Sequence, residues 1–158
     1  MQLNQRCCTI RLSPVPPSHK TTVVFVLKKP SVLVVDDVVD GREMLAEYLA
    51  FRGFQVTEAA SGCEALDVAR SLRPDIILMD LAMPDVDGLE TTRRLKADAL
   101  TKHAMIVAVT ARAFPHDQKA ARDAGCDAVV VKPYDLVLLA DALARVLRLG
   151  VSAFDITG

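Results

Sequence analysis

Five short apolar runs rich in Val, Ile and Leu recur along the chain from residue 31 onward. Most of them show no alternation with polar residues, which is typical of strands that are buried on both faces of a sheet. The run that follows Gly53 is the weakest of the five. The predicted strands are residues 31–35, 55–59, 76–79, 105–109 and 128–131.

The segments between these runs carry apolar residues at helical spacing. One predicted helix, 117–124, stops at Gly125, a residue that commonly ends helices. The last helix covers about 135–149. Strands that alternate with helices predict βαβ units, and therefore a doubly wound α/β domain with a parallel sheet between two layers of helices. The apolar residues on one side of the last helix are Leu136, Leu139, Leu143, Val146 and Leu147, and Phe51, Phe54 and Leu66 are expected in the core.

Composition and charge restrict the class of protein. Of the 158 residues, 51% are hydrophobic and 25% are charged, which excludes a disordered or collagen-like chain. No apolar run approaches the ~20 residues of a membrane span, so no membrane association is expected. The four cysteines have no zinc-ligand spacing and are compatible with a reducing, cytoplasmic location.

The charge distribution separates a short arm from the domain. Residues 1–30 contain five basic side chains and no acidic one, whereas the rest of the chain carries 14 basic and 20 acidic side chains. The first 20 residues contain three prolines and no hydrophobic periodicity, so we expect the arm, residues 1–30, to be disordered. Residues 31–149 form the predicted domain. The tail, 150–158, is too short for a DNA-binding or enzymatic output domain, so no direct DNA binding is expected.

Polar side chains follow four of the five predicted strands. Asp36 and Asp37 follow the first strand, Asp80 the third, Thr110 the fourth and Lys132 the fifth. In a doubly wound sheet the functional crevice lies outside the carboxyl ends of the strands, so these side chains are expected to meet. Helix capping is the alternative for a single acid.

Several carboxylates at one edge repel each other unless a cation lies between them, and oxygen ligands with room for water suit Mg²⁺. A lysine and a hydroxyl opposite them suit a phosphoryl group, so the set predicts phosphoryl transfer with a carboxylate as acceptor. Asp80 precedes a long polar loop that is expected to leave it exposed, which favours it as the acceptor.

Four motifs in order resemble the receiver domain of two-component response regulators. They are Val34-Val35-Asp36-Asp37, Asp80-Leu81-Ala82-Met83-Pro84 with Gly88, Thr110-Ala111 and Lys132-Pro133, within residues 31–149. The resemblance implies a flavodoxin-like sheet of order 2-1-3-4-5 and a stand-alone, chemotaxis-type regulator that is not a multiple-turnover enzyme.

The resemblance also implies a role for each matching position. Asp80 is expected to accept phosphate from a phosphohistidine of a sensor histidine kinase or histidine phosphotransfer protein. Asp37, Asp80 and the Ala82 carbonyl are expected to bind Mg²⁺, with Asp36 reaching the ion through water. Lys132 would pair with the phosphoryl group or Asp80, and Thr110 would bond a phosphoryl oxygen and so signal to a downstream target protein. The Lys132–Pro133 peptide bond is expected to be cis.

Some positions depart from the resemblance. Val129 stands where the family often has an aromatic side chain that moves inward on activation. Ala82 and Arg112 occupy positions that, in the family that the chain resembles, influence the lifetime of the phosphoryl group. Ala82 cannot orient a hydrolytic water, so a long-lived acyl phosphate is expected. Three alternatives remain open: a haloacid-dehalogenase-type phosphatase, disfavoured because Ala82 replaces its second acid; a receiver-like docking domain without phosphorylation; and a piece of a hybrid kinase.

Overall fold

A computed structural model of the protein describes residues 29–83, 88–111 and 114–149. The predictions for the basic arm, apart from residues 29 and 30, and for the tail 150–158 lie outside the described residues. Within the part of the chain that is described, no helix has the length and apolar character that a membrane span needs.

Five parallel strands form one sheet of order β2-β1-β3-β4-β5, as predicted. Their central members are apolar on both faces because helices cover both sides. Two strands extend one residue beyond the prediction, to Asp80 and Thr110, because backbone pairing continues there: Asp80 lies opposite Val109, and Thr110 opposite Val131. The strands are β1 (Ser31–Val35), β2 (Gln55–Ala59), β3 (Ile76–Asp80), β4 (Met105–Thr110) and β5 (Ala128–Val131).

Five helices alternate with the strands and divide the core into two layers. The helices are α1 (Val39–Phe51), α2 (Gly62–Leu72), α3 (Gly88–Ala97), α4 (Pro115–Ala124) and α5 (Leu136–Leu149). Helices α2, α3 and α4 supply buried residues to one cluster, and α1 and α5 to the other. Because each helix runs back along the sheet, the helix N-termini lie at the edge where the strands end.

Local signals account for several helix ends. Gly125 ends α4 with φ of 105°, as its sequence position predicted. Helix α4 begins at Pro115, two residues before the predicted start, since a proline is well suited to a helix's first position. Asp135 caps α5, because its Oδ1 accepts hydrogen bonds from the backbone N–H groups of Val137 and Leu138.

Phe51 corrects one core prediction. Its side chain is 85% exposed, whereas Phe54 and Leu66 are buried as expected. Phe51 is the last residue of α1 and faces away from the sheet, so its apolar character was not a guide to its position.

Candidate functional site

The predicted chemistry gathers at the carboxyl edge of the sheet. Asp80 and Thr110 are the last residues of adjacent strands, and both are buried. The expectation that Asp80 is exposed was wrong, because the residue still belongs to the paired part of β3. Asp36 follows β1 and is also buried, and Lys132 follows β5. Three of these predicted side chains, those of Asp36, Asp80 and Lys132, are in direct contact.

Asp80 has both carboxylate oxygens engaged. Oδ1 accepts a 2.7 Å hydrogen bond from the backbone N–H of Ala82, and Oδ2 accepts a 2.8 Å bond from Lys132 Nζ. The start of α3 lies directly against this residue, because a Cβ added to Gly88 would come 2.4 Å from the Asp80 carbonyl oxygen. The glycine in the Asp80 motif therefore permits the close approach of helix and strand. Together these contacts hold the carboxylate in one orientation.

Lys132 bridges two carboxylates. Its Nζ donates to Oδ2 of Asp36 at 2.9 Å as well as to Oδ2 of Asp80. Partial burial by itself lowers the pKa of this lysine, but the hydrogen bonds and charges of Asp80 and Asp36 outweigh it, so its pKa is raised above the ordinary value. The ammonium group is therefore charged throughout the neutral pH range. The Lys132–Pro133 bond is cis, as expected.

The three acidic residues present a cluster of hard oxygen donors. Asp36, Asp37 and Asp80 each place one carboxylate oxygen so that all three lie within 4.8 Å of one another. Asp36 uses its Oδ1 to accept from the backbone N–H of Val38 at 2.8 Å, and Asp37 is exposed. Carboxylate oxygens with an open side suit Mg²⁺, which keeps several waters. The donor set therefore fits the predicted cation.

Thr110 lies one position beyond the level of Asp80 on the neighbouring strand. Its backbone carbonyl accepts a 2.8 Å hydrogen bond from the N–H of Lys132, which connects the ends of β4 and β5. The structure thus places Thr110 at the predicted edge, between the strand that carries Asp80 and the strand that leads to Lys132. Ala82 is exposed in the connection that follows Asp80.

Comparison with known proteins gives this arrangement a family. The protein-family model described as the response regulator receiver domain matches residues 32–144 of this sequence. The chain belongs to this family. The polar-differentiation response regulator DivK of Brucella anthropi is 40% identical to it over 103 residues, which are 65% of this chain and 84% of that protein.

Solved structures agree with the assignment to the receiver family. The chemotaxis response regulator CheY4 of Vibrio cholerae matches with a TM-score of 0.71 and 31% identity, over 75% of this chain and 99% of that one. A putative response regulator from Chloroflexus aurantiacus matches with a TM-score of 0.71 and 31% identity, over 77% and 99%. The protein is therefore a response regulator receiver of the two-component type, and these relatives give no support to the phosphatase alternative.

Sequence reasoning about the receiver missed Arg42 and Glu58. Arg42 Nη1 donates to the backbone carbonyl of Asp36 at 2.7 Å, and its Nε donates to Glu58 Oε2 at 3.2 Å. Arg42 lies in α1 and Glu58 in β2, and the sequence patterns of these two segments indicate only secondary structure. The one available signal was that Arg42 follows closely after the Asp36-Asp37 pair in the chain, and charged residues at the start of a helix are too common for that proximity to be informative.

Proposed function

We propose that this protein is a single-domain response regulator in a phosphorelay and that its receiver, residues 31–149, accepts a phosphoryl group on Asp80. The observation that carries the proposal is the double contact of Lys132 with Asp80 and Asp36. A lysine held at the acceptor is placed to neutralise an oxygen of the incoming phosphoryl group. The relatives support the proposal because they are response regulators by name.

The proposed reaction transfers phosphate from a histidine to a carboxylate. An Asp80 oxygen attacks the phosphorus of the phosphohistidine, and the new O–P bond forms as the P–N bond breaks. The imidazole keeps the electron pair of that bond and takes a proton from solvent. The hydrogen bonds from Ala82 and Lys132 orient the Asp80 carboxylate before the donor arrives, which reduces the ordering required in the transition state.

The proposed cofactor is Mg²⁺. Asp37, Asp80 and the carbonyl oxygen of Ala82 would hold it directly, and Asp36 would reach it through a water molecule. When bound, the ion supplies positive charge that stabilises the phosphoryl oxygens in the transition state. The close grouping of the three carboxylates supports this assignment.

Thr110 is the proposed start of the response. Its hydroxyl would bond a phosphoryl oxygen, and the resulting movement of the segment after β4 would favour a second conformation of the receiver. Val129 is half-buried and packs against the cluster under α2, α3 and α4. A valine side chain has no aromatic ring that could move inward on activation. Transmission therefore depends on Thr110 and its loop. The predicted influence of Arg112 concerns a residue outside the described ranges.

The proposed partners are a sensor histidine kinase or histidine phosphotransfer protein as donor and a downstream protein as target. We propose a switching role with slow self-dephosphorylation rather than multiple turnover, without direct DNA binding or membrane association. The proposed location is the cytoplasm, where thiols stay reduced, and the free thiols of Cys63 and Cys126 are compatible with it.

Intact-mass spectrometry after incubation with acetyl phosphate and Mg²⁺ tests the proposal. We expect the wild type to gain one phosphoryl group, and we expect EDTA or the substitution Asp80→Asn to prevent the gain. Asp40→Asn is the matched control, since Asp40 is an exposed carboxylate in the first turn of α1 and should leave the adduct unchanged. No adduct in the wild type, together with no binding of beryllofluoride, would overturn the phosphoacceptor function.

A receiver-like docking domain that works without phosphorylation is the second candidate. Val129 favours it, because the aromatic part of the usual switch is missing. Under this alternative Asp80→Asn would bind the target protein as the wild type does, and acetyl phosphate would not change target binding by either protein.

A further inference from the structure

Arg42 connects three elements beside the acidic crevice. It lies in the first turn of α1, where its own N–H donates to the carbonyl of Val38 at 3.0 Å. Its guanidinium reaches out of the helix to the carbonyl of Asp36 after β1 and to the carboxylate of Glu58 on β2. The side chain is only 12% exposed. Arg42 is therefore a packed tertiary contact and not a solvated surface charge.

The hydrogen bond from Arg42 holds the backbone that carries Asp36 and Asp37, the water-mediated and the direct carboxylate of the proposed cation site. The Asp36 N–H donates to the carbonyl of Ala59 at 3.2 Å, so the residue is held by β2 on one side and by Arg42 on the other. Because a peptide unit is planar, fixing the carbonyl of Asp36 also fixes the N–H and Cα of Asp37. The peptide from which Asp37 extends is thus held in place, and only the backbone and side-chain torsions of Asp37 itself remain to direct its exposed carboxylate.

Glu58 gives Arg42 its fixed position and balances its charge. A guanidinium has several donors in a rigid fork, so one arm can bind the Asp36 carbonyl while another binds Glu58. An unbalanced positive charge beside the cluster would weaken its attraction for a divalent cation. The Glu58 carboxylate, 3.2 Å from Nε, offsets that charge.

We propose that Arg42, anchored by Glu58, is a positioning residue for the cation site: it fixes the Asp36–Asp37 peptide so that both carboxylates face the same ion as Asp80. This inference rests on the proposed function. It assigns to a residue outside the ligand set the same kind of support that ligands of metal sites commonly receive from neighbouring hydrogen bonds.

The test is the Mg²⁺ affinity of the unphosphorylated protein, measured by isothermal titration calorimetry. Arg42→Met keeps the length and apolar stem of the side chain but removes both hydrogen bonds, and we expect it to raise the Kd about 10-fold or more. Arg42→Lys can still donate to the Asp36 carbonyl but cannot reproduce the fork, so we expect a smaller rise, about threefold. Glu58→Ala, which removes the anchor, should also raise the Kd.

Arg70→Met is the matched control, because Arg70 also forms an ion pair between elements, with Asp98 at 2.7 Å, but it does not contact the crevice. We expect no change in its Mg²⁺ affinity. A cooperative unfolding transition measured in the absence of Mg²⁺ shows that a variant is folded before the cation is added. If Arg42→Met does not fold, Arg42→Lys and Glu58→Ala decide the matter.

An unchanged Kd in folded Arg42 variants, beside normal binding by the wild type, would overturn the positioning role and leave the proposed function intact. Absence of Mg²⁺ binding by the wild type would overturn both. A raised Kd in the Arg42 and Arg70 variants alike would reduce the effect to general destabilisation and would also overturn the positioning role.

Discussion

Lys132 and Asp80 meet across an intervening strand. Lys132 follows β5 and Asp80 ends β3, and β4 lies between these two strands. Neighbouring strands are spaced by about 4.8 Å, so β3 and β5 lie roughly 10 Å apart. The side chains of Lys132 and Asp80 reach towards each other across this distance, and Lys132 Nζ lies 2.8 Å from Asp80 Oδ2. The same Nζ also donates to Oδ2 of Asp36, which directly follows β1. One long side chain thus connects the ends of three strands of the sheet.

We expect Lys132→Met to leave the carboxylates of Asp36 and Asp80 facing each other without a cation. In the absence of Mg²⁺ the free energy of unfolding should fall by about 1–2 kcal/mol, because buried acceptors lose their donor. Mg²⁺ should restore part of the loss, since it supplies the missing charge. Urea unfolding with and without Mg²⁺ measures both effects, and an equal loss under the two conditions would contradict the role of charge.

The contribution of Lys132 to stability should depend on pH only in the alkaline range. Its pKa in the folded protein is raised, so the folded state holds the proton more tightly than the unfolded chain does. The stabilisation is therefore complete below the ordinary lysine pKa of about 10.4 and is lost as pH rises through the folded-state pKa. The difference in unfolding free energy between wild type and Lys132→Met should stay constant from about pH 7 to 10 and then shrink. A difference that already changes between about pH 7 and 9 would disagree with this sign.

Two glycine substitutions should act in opposite directions. In Gly88→Ala the new methyl group meets the backbone of Asp80 and Leu81, which cannot rotate away, so we expect a loss of about 1–3 kcal/mol and slower phosphorylation by acetyl phosphate. In Gly41→Ala the nearest atom is Asp36 Oδ2 at 3.9 Å, an ordinary contact, and alanine is the better helix former. It should gain about 0.5–1 kcal/mol. Thermal unfolding and initial phosphorylation rates are measured for both variants. Equal losses of stability in the two variants would contradict the steric explanation for Gly88.

Exposed apolar residues beside the crevice offer a contact surface for a protein that donates the phosphoryl group. Val38 and Val39 follow the acidic pair directly and are 57% and 50% exposed. We expect Val39→Asp to slow phosphotransfer from a histidine phosphotransfer protein about 10-fold while acetyl phosphate reacts as before, because only the protein donor needs the apolar contact. An acid in the first helical turn is compatible with folding.

Leu72→Asp is the control for this docking prediction. Leu72 is similarly exposed, but it ends α2 at the opposite edge of the sheet from the crevice. Its rates with both donors should equal those of the wild type. Slower reaction of Val39→Asp with acetyl phosphate as well would assign the defect to the site itself and contradict a docking role.

Particular residues show where sequence-based prediction succeeded. Uninterrupted apolar runs identified the strands because a central strand in this fold is covered on both faces and has no solvent-exposed side. The predicted ends of β3 and β4 were one residue short of the observed ends, since Asp80 and Thr110 are polar yet still pair with neighbouring strands. Phe51 was wrongly expected in the core because apolar character alone does not say which side of a helix end faces the sheet.

The sequence by itself determined the order of elements, the family and the set of candidate site residues, because each follows from local patterning and from motifs read in order. Tertiary structure decided which of those residues touch: the bridge made by Lys132 and the contact of Gly88 with Asp80 join positions distant in the chain or separated by a loop. It also revealed Arg42, whose bonds to Asp36 and Glu58 depend on how α1 packs beside β1 and β2. Such contacts depend on distances between elements, and local patterning does not specify those distances.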